Sequence, residues 1–305
     1  MAADWTGVFA IPVTPFKPDL SVDEASLVRE VRFCLEAGVH GLAYPAVVSE
    51  FFTLDLEERR RLLDIVVTEV DGQVPVIAGV SSPSSPYSAK LAKHAATLGV
   101  SGVLTMLPFV HHFFSPDAAY AVRHLKMVAE AELPIMFQNA RIGYPLPIAQ
   151  LPGIVEAVPL VRAVKEETAP STHQLGRAID ALKGHDVQVL GGVGGIYLID
   201  ELARGAAGTM PAPPFADLLV DVFEQAQGGD TTGARQLLGR AGQAFTYELI
   251  YNVGFIKDVL VRRGVIDHAV CRVPTPVMDA VDTREIDALL ADLDPLLRVR
   301  GAARA

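Results

Sequence analysis

Short runs of almost unbroken apolar residues alternate along the chain with longer stretches in which apolar positions recur every three or four residues. The short runs begin near Val8, Gly41, Pro75, Gly102, Pro134, Val161, Val187 and Gly208. They read VFAIPVTPF, GLAYPAV, PVIAGV, GVLTMLP, PIMFQNA, VRAVKEET, VQVLGG and GTMPA. A run without polar alternation suits a strand covered on both faces, which predicts parallel strands. The longer stretches predict helices over Asp23–Ala37, Leu56–Val70, Ser85–Leu98, Ser115–Ala131, Ile148–Ala157, Ser171–Leu182, Ile196–Arg204 and Phe215–Gln227.

Strand and helix thus alternate without interruption, and the junctions carry their own signals. Ser21 with Glu24 and Asp55 with Glu58 have the spacing of a reciprocal helix cap. Helical stretches run into glycine at Gly38, Gly72, Gly99, Gly184 and Gly205. The recurring AGVHGL, LGVSGV and RGAAGT suit a helix that stops, turns on glycine and feeds the next strand. Eight such units predict a closed (β/α)8 TIM barrel, a fold that typically takes ~250 residues. A doubly wound sheet would open on a glycine-rich first turn, whereas the first turn here reads TPFKPD. After Gln227 the pattern is wholly helical, with Thr231–Leu249, Gly254–Arg263 and Thr283–Leu296 spaced by the loop CRVPTPV. The expectation is a catalytic barrel over residues 1–227 and a C-terminal helical extension over 228–305. No Ser/Gly-rich linker divides them, so the extension is expected to pack on the barrel.

Charge narrows the partners. The 26 Lys and Arg residues against 36 Asp and Glu give a net charge of −10, which disfavours duplex nucleic acid and anionic membranes. Small molecules and protein partners remain. No apolar stretch approaches the ~18 residues of a spanning helix. The first residues lack a basic segment and are broken by Pro12 and Pro15, so no signal peptide is expected. Cys34 and Cys271 cannot build a disulfide framework, and a cytoplasmic location is expected.

In a barrel of this kind chemistry sits where the strands end, which directs attention to the residues closing each apolar run. Lys165 follows Val161, Ala163 and Val164. Desolvation among such neighbours favours a neutral amine, which can attack a ketone to form a Schiff base. A plain ion pair with Glu166 or Glu167 fits the same position. Glu167, two residues on, shares the face of Lys165, and Glu166 should turn toward the helices. An inward carboxylate beside an imine nitrogen is placed for acid/base work. Ser49 and Glu50 end the second run, where a hydroxyl and free backbone N–H groups can hold a carboxylate or simply shape a turn. Thr14 closes the first run in the same way.

Other motifs point less clearly. His111 and His112 are adjacent, with no HExxH or CxxC partner, so no metal site is expected. Gly191–Gly195 lacks dinucleotide spacing and a phosphate-loop lysine. It suits a tight turn or close backbone approach to a ligand. Arg141 reads as a loop arginine or an anion contact.

Taken together these residues resemble the dihydrodipicolinate synthase / N-acetylneuraminate lyase family of Schiff-base lyases over nearly the whole chain. The resemblance rests on GVFAIPVTPF, the Ser-Glu pair followed by TLDLEERRRLLDIV, PVIAG, VKEET, GAAGTM and GFIKDVLVRRGVI. It implies that Lys165 forms an imine with a 2-keto group. Three positions depart from the family. The strand-five Tyr-Asn-Val-Pro is Gln138-Asn139-Ala140-Arg141, the Gly-Thr-Thr-Gly-Glu segment is Ala46-Val47-Val48-Ser49-Glu50, and Phe109-Val110 offers no phenol. The hydroxyl relay of the lysine-pathway synthase is therefore not expected.

PIMFQNA, SE and KEET are similar instead to 2-keto-3-deoxy-L-arabonate dehydratases. That similarity implies a hydro-lyase with no cofactor beyond the covalent imine on Lys165. Glu167 would serve as acid/base, and Ser49, Val48, Gln138, Thr14, Gly192 and Met210 as the substrate-binding set. A pyruvate-dependent aldolase using the same imine, and an inactive keto-acid-binding barrel, are the alternatives. The expected partners are a small 2-keto acid and further copies of the chain, as a dimer or tetramer.

Overall fold

The computed structural model describes residues 4–108 and 116–299. Eight strands run in chain order around a closed barrel: β1 Gly7–Ala10, β2 Gly41–Tyr44, β3 Val76–Gly79, β4 Gly102–Thr105, β5 Ile135–Ala140, β6 Val161–Glu167, β7 Gln188–Gly191 and β8 Gly208–Thr209. Their paired neighbours are parallel. The helices between them are α1 Glu24–Glu36, α2 Leu56–Val70, α3 Ser85–Thr97, α4 Ala118–Ala129, α5 Leu151–Ala157, α6 Ser171–Ala181, α7 Leu198–Ala203 and α8 Ala216–Gln227. They are followed by α9 Thr231–Arg240, α10 Gly242–Tyr251, α11 Val253–Arg262 and α12 Ala280–Leu293. The fold is the TIM barrel that the apolar runs predict. Its strands are buried almost throughout, as double coverage requires.

The chain forms two compact units. One joins the residues up to Gly7 to Pro75–Met210; the other joins Val8–Val74 to Pro211–Ala305. In the first, β4, β5, β6 and β7 pair in succession, with one register shift between Ile135 and Met136 on β5, after which Gln138 lies opposite Lys165 and Lys165 opposite Leu190. In the second, β1 pairs with β2, and the C-terminal helices are tied down by buried charge. Arg263, which closes α11, meets Asp217 of α8 at 2.9 Å, with both side chains almost fully buried. Its guanidinium also stacks on Phe33 at 4.7 Å.

Caps explain most of the boundaries. Asp55 and Glu58 cap α2 reciprocally, at 2.8 and 3.1 Å. Helix α1 starts later than Ser21 suggests, because Asp23 accepts from Ser26 N while Ser21 bonds to Asp19. Gly38 and Gly205 stop their helices at φ 74° and 97°, values that a Cβ strains. The predicted helix Thr231–Leu249 is in fact two, α9 and α10. The break falls at Ala241, whose ψ of 0° lies off the helical value between Gly239 and Gly242. Among the described residues no helix is long and apolar enough to cross a membrane.

Candidate active site

Strand β6 builds the first polar cluster. Period-two alternation sends Ala163, Lys165 and Glu167 to one face and Glu166 to the other. Lys165 Nζ lies 3.2 Å from Glu167 Oε1, with side-chain exposures of 5% and 15%. Glu167 Oε2 accepts from Gln138 Nε2 at 2.6 Å, and Oε1 accepts from the Val193 amide at 3.1 Å. Burial works against charge on Glu167. The Lys165 ammonium, the Gln138 amide and the Val193 N–H outweigh it and hold the carboxyl below its usual range. Glu167 is thus an ionised carboxylate with three fixed neighbours. Lys165 has three donor positions and, among the described residues, one recorded partner.

The flanking strands explain this geometry. Gln138 sits opposite Lys165 in the β5–β6 register, so its side chain reaches the same face. A Cβ on Gly192 would overlap Glu167 Oε1 and crowd Lys165 Cε, so only glycine lets the β7 end pass this close. The Gly191–Gly195 run is a tight turn whose Val193 amide is aimed at Glu167, not a phosphate cradle. Met210 is buried and donates its amide to Gly191 O at 3.2 Å.

Glu166 does turn away from this face. It accepts from Asn139 Nδ2 and the Thr168 amide, each at 2.8 Å, and from the Thr168 hydroxyl. Asn139 also exchanges two bonds with the Leu146 backbone. The two adjacent glutamates therefore divide the work. Glu166 fastens β5 to β6, and Glu167 stays with the lysine.

The second unit holds a separate polar cluster at the ends of β1 and β2. The Ser49 hydroxyl donates to Pro12 O at 2.5 Å and accepts from the Ala46 amide at 3.0 Å. Thr14 Oγ1 donates to Ser49 O at 2.7 Å, which leaves it to accept from the Tyr44 phenol at 2.9 Å. Both hydroxyls expected to meet a substrate carboxylate are thus occupied in shaping their own turn, because each carries only one proton. The amides of Val47 and Val48 precede the first internal bond of this turn, Ser49 N to Ala46 O. Val48 itself is half-buried.

Glu50, at φ 53°, is fully enclosed. Its Oε1 meets Lys257 Nζ at 2.6 Å, and Oε2 accepts from the Arg272 and Val273 amides at 2.8 and 2.9 Å. Lys257 also donates to Val270 O at 2.8 Å, and Phe16 lies 4.3 Å from its ammonium.

The profile of the dihydrodipicolinate synthetase family matches residues 4–293. The chain belongs to this family. As a member of the dihydrodipicolinate synthetase family it is a lyase. It is 32% identical to an uncharacterised DapA-like lyase of Halobacterium salinarum, over 94% of this chain and 93% of that protein. It is 33% identical to the 4-hydroxy-tetrahydrodipicolinate synthase of Methanopyrus kandleri, over 76% of this chain and 77% of that one. Among solved structures, dihydrodipicolinate synthase of Rhodopseudomonas palustris matches with a TM-score of 0.87 at 25% identity, covering 96% and 99% of the two chains.

Within this family member, Lys165, Glu167, Gln138 and Gly192 come together in one unit. Thr14, Val48 and Ser49 come together in the other. The adjacent histidines His111 and His112, and the Phe109-Val110 pair, lie outside the described residues. Among the described residues no group of three or more His, Cys, Asp or Glu side chains is placed to hold a metal ion. Two groups escape a reading by strand ends. Tyr44 supplies a buried phenol bonded to Thr14, and burial holds that phenol in its protonated form. Its place as the last polar residue of GLAY was the available signal. Glu201, on α7, had no signal of its own beside Asp200 in a short helical stretch.

Proposed function

We propose that this lyase is a hydro-lyase that dehydrates a 2-keto-3-deoxy sugar acid through an imine on Lys165, with Glu167 as the acid and base. The observation that carries the reading is the Lys165–Glu167 pair at 3.2 Å, with Gln138 and Val193 fixing the carboxylate. In the first step Glu167 relieves Lys165 of a proton. The free amine adds to the C2 ketone, and Glu167 hands that proton to the former ketone oxygen, which leaves as water as the protonated imine forms and the carboxylate is restored. The imine acidifies C3, and Glu167 takes that proton to give an enamine. The enamine expels the C4 hydroxyl, and Glu167 returns its proton to it, so that group departs as water. Hydrolysis of the remaining imine frees Lys165 and a product that is one water poorer than the substrate.

Gln138 stands where a phenol would be needed for a tyrosine shuttle. A single carboxylate that cycles its proton removes that need. No cofactor takes part in this scheme.

The synthase names of the relatives favour a second reading, in which the enamine attacks an aldehyde instead of expelling a hydroxyl. The test is incubation with pyruvate and a panel of 2-keto-3-deoxy sugar acids, with product analysis. Semialdehyde formation without pyruvate release supports dehydration. Pyruvate release or aldehyde condensation supports the second reading. No adduct with any keto acid after borohydride sinks both and leaves the inactive barrel.

A further inference from the structure

The β7 end has carboxyl groups on both of its faces. On the inner face Gly192 is pressed by Glu167, as described. On the outer face a Cβ on the adjacent Gly191 would overlap both oxygens of Glu201, which reaches it from α7. Two consecutive glycines therefore form a wall one backbone thick between two glutamates. Glu201 is fully buried, and among the described residues neither of its oxygens has a hydrogen-bond partner. Thr209 of β8 pairs with Gly191 in register, so its side chain projects from the same face, and its buried hydroxyl is likewise unpartnered.

The charged groups facing Glu201 are few. Lys165 and Glu167 lie on β6, and Asp200 is its neighbour on α7, paired with Arg204 at 2.5 Å. From α6, Gly176 faces Arg204, and Gly191 and Thr209 of β7 and β8 carry no charge. A buried carboxyl with no donor is tolerable as the neutral acid and costly as the anion. Burial first, then the repulsion of Glu167 and Asp200, raises Glu201 to about 8, against a smaller pull from Lys165.

Resting on the reading of Lys165 as nucleophile, we infer that Glu201 is a positioning residue that acts on the Lys165–Glu167 pair through the Gly191–Gly192 wall. It must carry its proton for the pair to form an imine. When hydroxide removes that proton, the products are water and a carboxylate at the back of the wall. The new charge repels Glu167, attracts the Lys165 ammonium, and among the described residues has no donor in place. Each effect opposes imine formation. A helix-borne acid that touches no substrate thereby sets the alkaline limit of the site.

The test is the rate of borohydride-trapped adduct formation with pyruvate across pH, normalised to the plateau of each protein. Wild type is expected to lose rate above about pH 8. Glu201→Gln, which mimics the neutral acid, should move that limb up by about one pH unit or more. Glu201→Asp, which still titrates, should keep an alkaline limb. Superimposed profiles for wild type and Glu201→Gln overturn the inference. If the amide variant does not fold, Glu201→Met carries the same expectation. Infrared titration of the Glu30→Gln, Glu248→Gln protein, which lacks the other two carboxyls raised to about 8 and about 7, gives a readout that needs no change at Glu201. A protonated carboxyl signal must disappear along the same limb, and its absence also overturns the inference. Failure of wild type to form any adduct strikes the reading of Lys165 alone, since the infrared titration still reports on Glu201.

Discussion

Among the described residues two lysine–glutamate pairs are buried, and they are finished to different degrees. Lys257 and Glu50 meet at 2.6 Å with exposures of 0% and 1%, and each is surrounded by further partners. Lys165 and Glu167 stand 3.2 Å apart, slightly more open, and among the described residues Glu167 is the one partner of the Lys165 ammonium. In the first pair the desolvation of two charges is offset by fixed hydrogen bonds, and the result is an anchor for the turn at Glu50. In the second the carboxylate is held by Gln138 and Val193 while the amine is left with hydrogen-bonding capacity. The contrast teaches that burial of a charged pair does not by itself mark chemistry; an incomplete set of partners does.

The comparison breaks most sharply at Glu167. Glu167→Gln keeps the amine and much of the shape but removes the proton carrier. Turnover should fall by about 10²–10⁴-fold, while the borohydride adduct still forms, more slowly, as read by steady-state assay and mass spectrometry. Equal loss of adduct and turnover would place Glu167 in imine formation alone. The matching change in the other pair is Lys257→Met, which leaves Glu50 buried without its counter-charge. Denaturant unfolding should show a loss of about 3–5 kcal/mol, and an unchanged midpoint would remove its role as an anchor.

A smaller effect is expected at Gln138. Its amide donates to an ionised carboxylate, a bond worth about 1.5–3 kcal/mol. Gln138→Met should therefore lower kcat by roughly 10–100-fold, with little change in global unfolding. A stability loss without a rate loss would make Gln138 structural.

The last effect concerns pH. Burial raises Glu30 to about 8, where Val13 N donates to one oxygen and the other has no partner. An acid with a raised folded pKa binds its proton more tightly in the native state. Its stabilising contribution is complete below the unfolded value near 4.5 and is lost as pH rises toward about 8. Glu30→Gln should flatten the decline in stability across that window. An unchanged slope would show that Glu30 does not titrate there.

Much of this architecture was legible in the residues. Eight apolar runs foretold eight strands, and period-two alternation in VRAVKEE separated Glu166 from Glu167. Local patterns do not reveal partners brought together from afar. Glu50 was visible beside Ser49, but its partner Lys257 lies 207 residues away, on a helix whose own spacing says only that it is amphipathic. Ser49 shows the same limit from the other side. A hydroxyl at a strand end invites a ligand, yet this one reaches back to Pro12 O. Glu201 was hidden because helical spacing reports a buried face, not the glycine wall that the face meets.

The distinction between the two lysines can be tested in one measurement. Wild-type protein is incubated with pyruvate, reduced with borohydride, digested and mapped by mass spectrometry. The account predicts a single reduced adduct, on the peptide containing Lys165, and none on Lys257. An adduct on another lysine with Lys165 unmodified, or no adduct at all, would contradict it.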